Sequence, residues 1–238
     1  MKILVVGDGK MGRAVCEKAR EKKITVAGVV SADGNFDADG YESVDCVIDF
    51  SHDELTQKAV DFCIKNSLPL VTGTTALSGK TKNGLARLAL KSSVCASENF
   101  SVGVAAMRAA LKRVLAVLSD FDIEIVEKHH RNKFDAPSGT AKMLMRRVAD
   151  ARKNAEFVYG RQSGKRTKNQ VGVFSERGGS VVGEHRIEFL GDGESLTFTH
   201  TAWERGIFAD GAIKAAEKLI GKIGFFRYEE LLFEVKNG

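Results

Sequence analysis

The chain has 238 residues, 43% of them hydrophobic and 28% charged, and a formal net charge of +5. That apolar content over that length builds a buried core and excludes global disorder, and no run approaches the ~18 consecutive apolar residues of a membrane helix, so a cytoplasmic protein is expected. Lys and Arg are dispersed rather than gathered in one block, which argues against a nucleic-acid partner and suits small anionic ligands.

The first hundred residues alternate short apolar runs with helix-like stretches, the pattern of a parallel sheet covered by crossover helices. Residues 2–6 precede a helical stretch at 11–22, and residues 24–30 precede a loop. Residues 45–50 lead to an amphipathic run at 54–65, residues 68–72 to a helix at 78–90, and residues 93–96 close the series. These strands are nearly all apolar rather than alternating, as expected when both sheet faces are covered.

Gly7-Asp8-Gly9-Lys10-Met11-Gly12 stands between the first strand and the first helix. In that context G-x-G-x-x-G reads as a dinucleotide loop. Gly7 makes the turn, Gly9 lets backbone approach a pyrophosphate, Gly12 lets helix pack on strand, and the amides at the helix start face the anion. Phe50 and Ser51 after the third strand, and Gly73, Thr74 and Thr75 after the fourth, lie at the same carboxyl edge of the sheet, where their amides and hydroxyls are expected to meet the ligand. The second strand ends at Ser31, with Asp33 two residues on, where a strict NAD enzyme places an acid. A neutral hydroxyl there, with Lys10 and Arg13 nearby, predicts that NADPH is accepted at least as well as NADH.

Beyond residue 100 the character changes to mixed α+β. A long helix at 104–118 precedes a half-exposed strand at 121–127 and a helix at 139–152. Three runs with β character follow at 171–174, 181–190 and 195–201, and an amphipathic helix at 207–220 returns to pack on the first domain. Residues 161–168 carry Arg161, Lys165, Arg166 and Lys168 with no acid between them and read as a solvated loop, with a lid as the alternative. Cys16, Cys46, Cys63 and Cys95 are widely spaced in apolar surroundings and read as core thiols.

The segment Glu127-Lys128-His129-His130-Arg131-Asn132-Lys133-Phe134-Asp135-Ala136-Pro137-Ser138-Gly139-Thr140 concentrates chemistry. Adjacent histidines in extended chain point to opposite sides, and no Cys or acidic partner is read at ligand spacing, so no metal site is expected. Pro137 precedes a good N-cap, Ser138, and the amides of Gly139 and Thr140 open a helix there. That is a carboxylate-binding arrangement with Lys133 as countercharge.

This segment resembles the signature of the dihydrodipicolinate reductases. So do the glycine loop, Gly73-Thr74-Thr75, Asn99-Phe100-Ser101-Val102-Gly103-Val104, Gly183-Glu184-His185 and Phe208-Ala209-Asp210-Gly211-Ala212. The family usually has Pro where Glu98 stands and often Gly where Ala76 stands. The resemblance implies a Rossmann-like domain from residues 1–100 and 207–238, a mixed α+β substrate and oligomerisation domain from 101–206, and a homotetramer. It also implies NADPH or NADH as cofactor, a small dicarboxylate as substrate, and a place for Asn99 and Phe100 beside the cofactor. His129 is then the candidate general acid, with Lys133 as alternative donor or support. His130, Ser138, Gly139 and Thr140 would hold a carboxylate. Two other readings share part of this pattern. A nicotinamide dehydrogenase acting on aspartate or a sugar would lack the histidine–lysine–serine set, and a dinucleotide-sensing regulator would have lost His129, Lys133 and Thr140.

Overall fold

In the computed structural model, which describes residues 1–32 and 34–233, the chain divides into two units. One comprises Met1–Val102 with the chain from Arg205 onward, the other Gly103–Glu204. In the first, β1 (Lys2–Val6) leads to α1 (Lys10–Glu21) and β2 (Thr25–Val30). Then come β3 (Cys46–Asp49), α2 (Asp53–Asn66), β4 (Leu70–Thr72), α3 (Gly79–Leu88) and β5 (Ser93–Ala96). Side chains start these helices where the chain needs them: His52 accepts from the Leu55 amide ahead of α2, and Ser78 accepts from the Thr81 amide ahead of α3. After α4 (Val102–Val117) the second unit continues with β6 (Asp122–His129), α5 (Gly139–Ala151), β7 (Glu156–Tyr159), β8 (Gln170–Arg177), β9 (Gly183–Leu190) and β10 (Ser195–Ala202). The chain then returns to the first unit with α6 (Gly206–Leu219), β11 (Gly224–Phe226) and α7 (Tyr228–Leu232).

The first sheet is wholly parallel with order β11-β5-β4-β3-β1-β2. Strand order reverses between β1 and β3, so the loops after those two strands open onto the switch point where α/β sheets bind ligands. The central strands are apolar on both faces, and Ile3, Leu4, Val5, Val6, Val47, Ile48 and Val71 are fully buried. The strand at 24–30, expected to be covered on both faces, is the sheet edge, and most of its residues are only half-buried. Cys46, Cys63 and Cys95 are buried free thiols, and burial raises all three above the usual thiol range. Cys16 is half-buried.

The second unit is built on a mixed sheet of order β10-β9-β6-β8-β7, with β6 antiparallel to β9 and parallel to β8. Its core gathers Ile123 and Ile125 with Val171, Val173, Ile187 and Phe189 under Leu111, Leu115, Leu144 and Val148 from α4 and α5. One expectation changes here: the strand expected to stop at residue 127 runs on to His129. The basic stretch at 161–168 is a mostly exposed loop, as expected, in which two arginines are tied to the sheet. Arg166 forms an ion pair with Asp122 (2.9 Å) and bonds Glu124 and the carbonyls of Ile123 and Gln170, while Arg161 bonds the Gln170 side chain at 2.9 Å. Acids at the exposed face of β6, invisible to a local reading, supply the countercharge. β7, β11 and α7, of three to five residues each, were not anticipated. Among the described residues no helix is long and apolar enough to cross a membrane.

Candidate functional site

Gly7 takes a φ of +99° at the end of β1, a conformation glycine adopts without steric cost. A Cβ on Gly12 would lie 1.8 Å from the Gly7 carbonyl oxygen, so the turn closes only with glycine at both positions. Gly9 faces open space, and it N-caps α1 without any side-chain bond and with no acid in the first turn. The amides of that turn meet no capping side chain, the arrangement a pyrophosphate fits. Gly9, Lys10, Met11, Phe50, Ser51, Gly73, Thr74 and Thr75 together line a crevice of about 350 Å³. Ser31 lies with Arg13, Arg20, Asp8 and Glu17 around a second cavity of about 510 Å³, and Asp33 lies outside the described residues. These residues fit a nicotinamide dinucleotide with its phosphates at α1.

Two details of that crevice depart from expectation. The Ser51 and Thr74 hydroxyls turn inward, onto the fully buried Asp49. Its carboxylate accepts from Ser51 on one oxygen, and from Thr56 (2.7 Å), Thr72 (2.6 Å) and Thr74 (2.9 Å) on the other. The Ser51 amide is likewise spent on Thr74 Oγ1 at 3.0 Å. The register that pairs Asp49 with Thr72 brings this about. Phe100, expected beside the cofactor, is a core residue instead. It is 1% exposed, with its ring edge-on to Phe50 and Tyr228, and Asn99 folds back so that its Oδ1 accepts from the Ser101 amide.

In the second unit the alternation of β6 puts Ile123, Ile125, Glu127 and His129 on one buried face. The apolar ladder Ile123–Phe189 and Ile125–Ile187 therefore runs into a polar rung where Glu127 faces His185. Glu127 Oε2 meets His129 Nδ1, and Arg177 on β8 reaches both oxygens, at 3.0 and 2.8 Å. Burial alone would raise the Glu127 pKa, but the bonds from His129 and Arg177 outweigh it and hold the carboxyl near 2. The rings of His129 and His185 stand edge to face at 5.1 Å. Glu127 is thus the acidic partner that the adjacent-histidine argument overlooked. The donor atoms of Glu127, His129 and His185 come within 4.8 Å of one another. A guanidinium already neutralises the carboxylate there, which suits proton chemistry better than a cation.

The same carboxylate reaches the start of α5: the Ser138 amide donates to Glu127 Oε1 at 3.3 Å. Ser138 Oγ accepts from the Ala141 amide and bonds His185 Nε2 at 2.9 Å, so this hydroxyl, expected to hold a carboxylate, is committed inward. Gly139 and Thr140 form the first turn of α5. Lys133 pairs with Asp135 at 2.6 Å in a partly exposed bridge of the kind worth ~1 kcal/mol or less, and its amide donates to the His130 carbonyl.

Family models for the N-terminal and C-terminal parts of dihydrodipicolinate reductase match residues 1–100 and 103–232. The chain belongs to the dihydrodipicolinate reductase family. It is thereby an oxidoreductase with a nicotinamide-binding fold. Among relatives of the dihydrodipicolinate reductase family, the 4-hydroxy-tetrahydrodipicolinate reductase of Clostridium tetani is 39% identical over 236 residues, covering 93% of this chain and 92% of that protein. That of Exiguobacterium sibiricum is 39% identical over 240 residues, covering 97% and 96%. A dipicolinate-bound dihydrodipicolinate reductase from Paenisporosarcina sp. TG-14 shares the fold with a TM-score of 0.77 at 22% identity, covering 95% of this chain and 97% of that one.

One consequence of the buried cluster is acid sensitivity. Burial first, and the neighbouring His129 second, push the His185 pKa down from 6.5 to about 3. The unfolded chain therefore takes up a proton that the folded one refuses, and stability is lost as pH falls below 6.5. The depressed Glu127 acts in the same direction below its ordinary value of 4.5. Urea midpoints should thus fall on acidification from pH 6.5, and His185→Gln should flatten the slope between pH 6.5 and 4.5. Parallel slopes in parent and variant would refute this assignment.

Proposed function

We propose that the protein reduces dihydrodipicolinate, or its 4-hydroxy-tetrahydro precursor, to tetrahydrodipicolinate in lysine and diaminopimelate biosynthesis. On this reading it is a cytoplasmic homotetramer joined through the second unit, using NADPH or NADH. One observation carries the chemistry: a single carboxylate, Glu127, bonds both the His129 ring and the first amide ahead of α5. A proton donor and a helix start that attracts carboxylates are thereby held in one frame.

Gly7, Gly9 and Gly12 shape the loop that would hold the pyrophosphate on the amides of α1, with Lys10 and Met11 alongside. Phe50, Ser51, Gly73, Thr74 and Thr75 form the facing wall of the crevice. The dinucleotide, when bound, supplies the hydride. Reduction of a conjugated ring carbon leaves electron density on its neighbour, and His129 delivers the proton there as general acid. The Gly139 and Thr140 amides and the His130 side chain hold a ring carboxylate, while Ser138 fixes the helix start. Lys133 exchanges its weak bond to Asp135 for the substrate dianion. The test is an assay coupled to fresh dihydrodipicolinate synthase product, following loss of nicotinamide absorbance. No loss above the enzyme-free rate with either dinucleotide would defeat the reading.

Cofactor choice is read from the end of β2, where the neutral hydroxyl of Ser31 stands in place of an acid and the adjoining cavity is lined by Arg13 and Arg20 together with Asp8 and Glu17. Arg20 had not been singled out from the sequence. The two guanidinium groups offset the two carboxylates, and the Ser31 hydroxyl can bond a 2′-phosphate without repelling it. NADPH should give a kcat/KM at least equal to that of NADH, and Ser31→Glu should move the ratio toward NADH by about tenfold, ~1.4 kcal/mol. A parent preference for NADH above about tenfold would mean that an acid is supplied from elsewhere.

A further inference from the structure

We propose that Glu127, clamped by Arg177, is the positioning residue of the His129 site and fixes which ring nitrogen works. The inference rests on the reading of His129 as proton donor and assigns the proton to one atom. An ionised carboxylate only accepts hydrogen bonds, so the nitrogen facing it, Nδ1, must carry a hydrogen. That leaves Nε2 as the nitrogen that gains and loses the transferred proton. Nε2 points toward Gly183 on β9, where a Cβ would stand 3.1 Å from it. Glycine at that position keeps Nε2 free of side-chain crowding from β9.

Arg177 makes the arrangement rigid. Its two terminal nitrogens bind the two oxygens of Glu127, and one of them also binds the Asp135 carbonyl, in the loop that carries Lys133. Guanidinium does not deprotonate in the working range, so Glu127 remains ionised and in one orientation. The charged groups at the His129–His185 pair are then Glu127 on β6, Arg177 on β8 and, from the following loop, Lys133, whose charge acts on His185. His185 on β9 is held neutral by burial. The Glu127 carboxylate stabilises the imidazolium before transfer. In the step itself the Nε2–H bond breaks, its proton passes to the ring carbon left electron-rich by reduction, and neutral imidazole remains with Nδ1–H still bonded to Glu127.

Two readouts test this. In protein labelled with ¹⁵N-histidine, assigned with His129→Gln, the neutral His129 ring of the parent should show the Nδ1–H form. An Nε2–H form would overturn the proposal whatever the variants do. In Glu127→Gln, kcat should fall on the order of 100-fold and its alkaline limb should move to lower pH by about one unit or more, with dinucleotide Kd unchanged. A folded Glu127→Gln with the parental profile would also overturn it. Gly183→Ala keeps the Glu127 bond but crowds Nε2, so kcat should fall while the alkaline limb stays in place; a limb that moved as in Glu127→Gln would count against the assignment of Nε2. If the parent fails to reduce the ring substrate, the functional reading falls, and the ¹⁵N spectrum still decides the role of Glu127.

Discussion

His129→Gln is expected to lower kcat for the ring substrate by about 10²- to 10⁴-fold, the range that a positioned general acid contributes. Dinucleotide affinity should be unchanged, because the glycine loop belongs to the other unit. Gln is close in size and its amide can still donate to Glu127, so the buried carboxylate keeps a partner and the variant should fold. What it lacks is an acidic proton on the far side of the ring position. With His129 only 7% exposed, bulk water is a poor replacement. The parent should lose turnover at alkaline pH as the imidazolium loses its proton, and His129→Gln should show no such limb. Measuring kcat against pH for both proteins decides the matter, and equal turnover with one shared profile would remove His129 from the reaction.

The parts legible in the sequence were those whose signals are local. The glycine loop announces itself because Gly7, Gly9 and Gly12 fall between an apolar run and a helical period, and all three geometric requirements lie within six residues. The start of α5 was legible for the same reason, since Pro137 and Ser138 are punctuation read over three or four positions. The Glu127 cluster was only half legible. Continuing the alternation Ile123, Ile125 by two more steps places Glu127 and His129 on the same buried face, and that signal was available. Arg177 was not, and His185 stood out only through the resemblance of Gly183-Glu184-His185, because only the pairing of β6 with β8 and β9 sets Arg177 opposite His129 and His185 opposite Glu127. The inward turn of Thr74 has the same origin: it looks like an exposed loop hydroxyl until strand register sets Asp49 beside Thr72. Short edge elements such as β11 carry too few residues to show a period.

Asp49→Ala is expected to lower the unfolding free energy by about 3–5 kcal/mol, one of the largest single-residue effects available in the first unit. Four hydroxyl groups, on Ser51, Thr56, Thr72 and Thr74, converge on this carboxylate, whose residue is 0% exposed. Removing the acceptor leaves buried donors without their partner, at ~1–3 kcal/mol each. Mutual bonding recovers part of the loss, since Ser51 and Thr56 already lie 3.5 Å apart. Asp49→Asn should fall between parent and Ala, because its amide keeps one acceptor oxygen and turns two donors toward hydroxyls that must reverse to meet them. The effect should extend to ligand binding. Ser51 and Thr74 line the crevice beside the glycine loop, and they hold their positions through Asp49. Dinucleotide Kd should therefore rise in both variants, and more in Ala than in Asn. Urea unfolding with and without NADPH reads both quantities, and a loss below about 1 kcal/mol in Asp49→Ala would mean that water or side-chain rearrangement satisfies these hydroxyls without the carboxylate.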